Sequence, residues 1–267
     1  MRRSGCAGFA QAQFTTRHRI HRMSPPDLAA RLAAREPPRA PRVMYHKWRD
    51  LCFLHWHYDP AIIQSLLPDG LWVDTHDGKA WVGLVPFAMC DVRPRFLPSV
   101  GSLSNFLELN LRTYVFDKRG RPGVWFFTLE CNQPAAVLAA RSLIFLPYRH
   151  ARMQRLMAGQ QTLEFSSQRK GDAVTSRFVY ELEEPVTEAQ PGTLEFFLIE
   201  RYLLFSKAPW GLMSARVHHQ PYRVCAVKLD AWSTHLLQVH GLPEPKRAPD
   251  HVAGSPGVDV SVHMLQP

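Results

Sequence analysis

Residues 106–152 read FLELNLRTYVFDKRGRPGVWFFTLECNQPAAVLAARSLIFLPYRHAR, and this stretch decides the fold. Glu108 and Arg112 stand an even number of residues apart in an otherwise apolar run. On a strand both side chains therefore leave from one face, while Leu107, Leu109 and Leu111 take the other. A wall that is apolar on one face and charged on the other suits a barrel whose interior receives a polar ligand. The run turns at Asp117-Lys118-Arg119-Gly120 and returns along residues 123–130 as a hairpin. Residues 133–143, rich in alanine, predict a helix. Arg141 on that helix and the Pro147-Tyr148-Arg149-His150 run after it are expected beside Glu108 and Arg112.

Strand signals continue outward from this segment. Residues 51–56 alternate, and Asp77-Gly78 between apolar runs at 71–75 and 80–92 marks a tight hairpin. Further strands are expected at 161–167, 174–182 and 216–231, and helices at 193–205 and 235–239. Many strands with few, short helices define a mainly β (α+β) class, an antiparallel sheet curved into a barrel with helices packed outside.

The chain has 267 residues and a formal charge of +9, but that charge is unevenly placed. Residues 1–42 hold nine arginines against Asp27 and Glu36, a surplus of seven that leaves only +2 for the remainder. The high pI therefore does not argue for a nucleic-acid-binding face. Residues 1–42 read as a basic, proline-rich leader, expected to be disordered or to precede a true start near Met23 or Met44, with a short helix begun at Ser24-Pro25-Pro26-Asp27. Residues 43–267 read as a single domain. Five scattered cysteines with no C-x-x-C pair suggest reduced thiols and a cytoplasmic setting. No apolar run approaches the roughly 20 residues of a membrane span, so no membrane partner is expected. Nucleotide-loop and G-x-S-x-G motifs are missing, which leaves nucleotide and serine-hydrolase routes without support, so no cofactor is expected, and without a C-x-x-C pair no metal is expected either. A homo-oligomer is compatible with the chain.

The 106–152 stretch resembles the family called domain of unknown function 2071. So do His55-Trp56-His57, the Gly78-Lys79-Ala80-Trp81-Val82-Gly83-Leu84 run and residues 194–205 and 218–222. The resemblance covers the chain from about Val43 onward. That family is grouped by fold with acetoacetate decarboxylase, which implies the acetoacetate-decarboxylase-like fold and an interior site. In the decarboxylases a lysine directly after a Tyr-Pro pair forms a Schiff base, and a second lysine follows it. The matching stretch here is Leu146-Pro147-Tyr148-Arg149, so Tyr148 stands in the place of the nucleophile and Arg149 in that of its neighbour. A phenol cannot form an imine and arginine is too strongly protonated to try. By the same resemblance Glu108 and Arg141 are similar to the decarboxylases' pocket acid and helix arginine, whereas a second acid falls near Val85 and is missing.

Glu108, Arg112, Arg141 and Arg149 are thus the candidate ligand-binding set, and Glu108 and Tyr148 the candidate acid–base groups. Guanidinium forks match carboxylates, which favours a small organic acid as the partner. Two rivals stand beside this reading: an enzyme using Glu108 as general acid or base on a keto-acid-like substrate, and a structural protein with a filled barrel. His55 and His57 share a strand face that His46, His218 and His219 could join, but without an acid at fixed spacing the metal signal is poor. Arg201 lies on the helix expected over 193–205, whose Leu194, Phe197, Leu198 and Tyr202 form an amphipathic stripe, and either reaches the interior or caps a strand.

Overall fold

The computed structural model describes residues 24–264. The strands are β1 (Arg42–Tyr58), β2 (Leu71–Val73), β3 (Thr75–His76), β4 (Lys79–Pro94), β5 (Phe106–Asp117), β6 (Pro122–Cys131), β7 (Tyr148–Ala158), β8 (Thr162–Arg169), β9 (Ser176–Leu182), β10 (Thr187–Glu188), β11 (Leu203–Ala208), β12 (Gly211–His218), β13 (Arg223–Val224), β14 (Val227–Ala231) and β15 (His251–His263). The helices are α1 (Leu28–Ala33), α2 (Pro60–Ser65), α3 (Gly101–Ser104), α4 (Pro134–Leu143), α5 (Leu194–Ile199) and α6 (His235–Val239). No helix among the described residues is long and apolar enough to cross a membrane.

The mainly β class holds, as one large curved sheet with few, short helices. Its pairings run β6–β11–β12–β15–β1–β4–β5 and return to β6 through the β5–β6 hairpin. The sheet is mixed where antiparallel pairing was expected, because β6 lies parallel to both β7 and β11. The inward face carries Phe53, Trp81, Val85, Phe87, Tyr114, Phe126, Leu129 and Tyr148. A second core, with Leu54, Trp56, Leu109, Leu111, Phe165 and Phe178, fills the outward side.

Local irregularities decide which residues face in. Phe127 is an extra residue on β6, so the register against β5 shifts between Leu111 and Arg112. Such a bulge reverses the alternation. Phe126 faces in before it and Leu129 and Cys131 after it. Cys131 therefore lies opposite Glu108, and Glu130 turns outward to Arg169. The bulge keeps a second carboxylate out of the interior. At Asp50 in β1, φ is 55°, and the inward set changes from Trp48 to Leu51, Phe53 and His55.

Several sequence expectations need correction. The helix over 193–205 stops at Ile199, since Leu203–Ala208 pair with β12 as a strand. The single strand over 216–231 is three short ones. β15, whose pairing with β1 and β12 completes the circuit, lies in a Gly-, Pro- and His-interrupted segment without clean alternation.

The disordered-leader expectation is also corrected from residue 24 onward; residues 1–23 lie outside the described region. Asp27 caps α1 by accepting from the Ala30 amide at 2.8 Å. The helix buries no residue of its own and is attached through charge. Arg31 grips both oxygens of the fully buried Asp74, and Arg35 lies 3.4 Å from Glu200. Arg216 donates to the carbonyls of Ala34 and Glu36.

Candidate functional site

The inward alternation of β5 places Glu108, Asn110, Arg112 and Tyr114 in one row, and all four are buried. Glu108 lies opposite Phe87 on β4 and accepts a 2.8 Å hydrogen bond from the Tyr148 hydroxyl. Burial raises its carboxyl to about 7, against hydrogen bonds from Tyr148 and Asn110 that favour the anion. Burial, and then Glu108 itself, pushes the Tyr148 phenol well above its ordinary range. Tyr148 therefore stays a donor, while Glu108 can hold or release a proton near neutrality.

Arg112 does not pair with Glu108. Its Nη2 donates to the Leu198 carbonyl at 3.1 Å, and its guanidinium lies 5.4 Å from the Phe53 ring and 5.6 Å from that of Tyr114. Its Nε is buried without a hydrogen-bond partner. Among the described residues no carboxylate makes an ion pair with it. A buried cation in this state is costly unless an anion joins it.

Tyr114 extends the row. Its hydroxyl lies 2.7 Å from His55 Nε2, and His55 Nδ1 lies 3.2 Å from His251 Nδ1. Burial, then His251 and Arg112, holds His55 well below the usual histidine range. Gly83 makes this possible, because a Cβ there would meet His55 Cδ2 at 2.8 Å. His57, by contrast, sits nearer the surface with Asp250 at 2.9 Å. His55 and His57 do not assemble with His46, His218 and His219. Among the described residues no group of three or more His, Cys, Asp or Glu could hold a metal ion.

Arg201, just past α5, reaches the same place. Its Nε donates to the Phe197 carbonyl at 2.7 Å and its Nη1 to Asp74 at 3.0 Å. Its guanidinium lies 5.0 Å from the Tyr114 ring and 4.3 Å from the Phe197 ring, and its Nη2 has no partner. Burial lowers it to about 10 despite Asp74, with Arg31 adding to the depression. Trp48 Nε1, Trp81 Nε1 and Asn110 Oδ1 are buried without partners as well.

Arg141 and Arg149 do not join this cluster. Both are exposed. Tyr148 takes the inward face of β7, so alternation sends Arg149 outward. Arg141, in the last turn of α4, borders two surface depressions with Phe145, Leu146 and Val137. Asn110 and Tyr114 were legible by continuing the two-residue period from Glu108. Asp74 and Arg31 had no signal, since they meet only through tertiary packing. All seven lysines lie among the described residues and none is buried.

A curved mixed sheet with few, short helices is the architecture of acetoacetate-decarboxylase-like proteins, and solved structures agree. Acetoacetate decarboxylase from Legionella pneumophila superposes with a TM-score of 0.58 at 13% identity, covering 86% of this chain and 88% of that one. The enduracididine biosynthesis enzyme MppR, solved with pyruvate, gives 0.59 at 13% identity, covering 86% and 92%. At such identities the likeness is one of fold. The chain belongs to the DUF2071 family, described as an uncharacterized conserved protein, whose profile matches residues 45–259. It is 34% identical over 209 residues to the uncharacterized protein YqjF of Bacillus subtilis (strain 168), covering 78% of this chain and 85% of that one.

Proposed function

We propose that this protein binds a small organic anion inside the sheet, on Arg112, with Glu108, Asn110 and Tyr148 completing the site. The observation that carries this reading is the buried Arg112 guanidinium with an unpartnered Nε and no carboxylate beside it. A ligand carboxylate would supply both the charge and the acceptor that the chain withholds. The free donors and acceptors of Trp48, Trp81 and Asn110 favour a ligand with further polar atoms over a dry, filled interior. MppR, solved with pyruvate, offers 2-oxo acids as the first chemistry to try. Schiff-base chemistry is outside this reading, because Tyr148 stands at the nucleophile's place and no lysine is buried. Among the described residues Cys52, Cys90, Cys131 and Cys225 are free thiols, which suits a reducing, cytoplasmic setting.

A second reading rests on Glu108. A carboxyl near 7, bonded to a phenol, is suited to passing a proton to or from a carbonyl compound held by Arg112. Calorimetric titration of the full chain with a panel of 2-oxo acids tests the binding. Saturable binding that Arg112→Gln abolishes is expected. Failure of every acid to bind, or equal binding by the variant, overturns the proposal. Exchange of the ligand's α-protons for deuterium, lost in Glu108→Gln, would support the enzymatic reading.

A further inference from the structure

Resting on the reading of Arg112 as the anchor for one carboxylate, we propose that Arg201 is a second anchor and that the preferred ligand is a dicarboxylate. The two guanidiniums lie over the same Tyr114 ring, at 5.6 Å and 5.0 Å from its centroid. Each is buried and each leaves one nitrogen without a partner, Nε on Arg112 and Nη2 on Arg201. Their guanidinium carbons are therefore at most about 11 Å apart. A four- or five-carbon diacid with a hydrogen-bonded carboxylate at each end is long enough to bridge two guanidiniums within that bound.

Charge points the same way. Asp74 is the only carboxylate bonded to Arg201 among the described residues, and it is shared: Arg31 takes both of its oxygens, and Arg201 shares one of them. One carboxylate thus faces two guanidiniums, and Arg112 has none. Glu108 does not correct the imbalance, being bonded to Tyr148 and Asn110. A ligand with a single carboxylate neutralises Arg112 and leaves the Arg201 side in surplus. A second carboxylate at the far end neutralises it and accepts from the spare Nη2. Arg201 is well placed for discrimination because Phe197 and Tyr114 pack its plane and Phe197 fixes its Nε, so the spare nitrogen has a set direction.

The test compares 2-oxopentanoate with 2-oxoglutarate, which differ only in a terminal methyl against a carboxylate, by calorimetry on the full chain. The diacid is expected to bind at least about tenfold tighter, the ratio typical of one added hydrogen bond between charged groups. Arg201→Lys keeps a positive charge for Asp74 and so keeps the fold, but its ammonium is taken up there and has no fork to offer. It should bring the two acids to within about threefold of each other. Retained thermal unfolding cooperativity certifies the variant. Equal affinity of the two acids for the natural chain overturns the dicarboxylate inference while leaving the Arg112 reading intact. So does a preference that survives in Arg201→Lys. Binding of neither acid overturns both.

Discussion

Replacing Arg112 by methionine should make the unliganded protein more stable. The change removes one charge-assisted hydrogen bond, Nη2 to the Leu198 carbonyl, of about 1.5–3 kcal/mol. It also removes two cation–ring contacts of roughly 0.5–1 kcal/mol each. Against these losses stand the desolvation of a guanidinium without a counter-ion, several kcal/mol, and the burial of an unpartnered Nε, about 1–3 kcal/mol. A buried methionine side chain contributes about 1.5–3 kcal/mol more. Replacements of buried ions by apolar residues of like volume are often neutral or stabilising by about 1–4 kcal/mol, and Arg112→Met is expected within that range. Urea unfolding at neutral pH measures it, and thermal unfolding should show a rise of roughly 2–4 °C per kcal/mol for a chain of this size. The same variant should lose 2-oxo acid binding. A loss of more than about 2 kcal/mol would refute the reasoning, because it would mean that Arg112 holds the structure together and that its exposed cost is already met within the chain.

Asp74 should behave in the opposite way. Asp74→Asn removes the only carboxylate paired with Arg31 and Arg201 among the described residues and should cost about 3–5 kcal/mol in urea unfolding; a cost below about 1 kcal/mol would show that the two arginines relax into solvent. Acid should destabilise the fold from about pH 6.5 downward. His55 and His219 are buried and depressed, His219 to about 4, so the unfolded chain binds protons first and stability falls by about 1.4 kcal/mol per pH unit for each. Glu108, raised to about 7, has the opposite slope between about 4.5 and 7, and Glu195 and Glu200 are also raised by burial, but His46, His218, His240 and His251 are depressed like His55 and His219 and outnumber them; unfolding free energies at pH 7, 6 and 5 that stay flat would contradict this. Borohydride with acetoacetate should leave no reduced adduct on any lysine, which intact-mass measurement would detect.

The interior row was legible because it obeys a local rule. Glu108 and Arg112 stand on one strand, and a period of two sends them to one face whatever the rest of the chain does. The exclusion of Glu130 was not legible, since the bulge at Phe127 shows only in the register between β5 and β6. Nor was the fate of Arg141 and Arg149. The resemblance to the decarboxylases placed Arg141 beside the site, while the alternation of β7 that brings Tyr148 inward sends Arg149 out. The docking of the leader from residue 24 onward was not legible for a different reason. Few apolar residues usually mean little burial, yet α1 docks through Arg31 and Arg35, whose partners Asp74 and Glu200 are distant in sequence. Composition reports charge but not where its counter-charge lies.

The arginines around Phe197 and Tyr114 therefore fall into two kinds, and the difference is chemical. Arg31 has its two Nη groups on Asp74 and lies at the rim, so its charge is answered within the chain and its contribution is to stability. Arg112 has a hydrogen bond to a neutral carbonyl, a polar interaction with the Tyr114 hydroxyl, two aromatic faces and a nitrogen with nothing to bind. Selection for stability alone would replace it, because an apolar side chain of the same volume costs less to bury. On the proposed reading, a residue whose balance in the unliganded state is unfavourable is explained by what it binds. Arg201 stands between the two, answered by half of a shared carboxylate and open at Nη2. That intermediate position makes it the residue on which the choice between one acid group and two would turn.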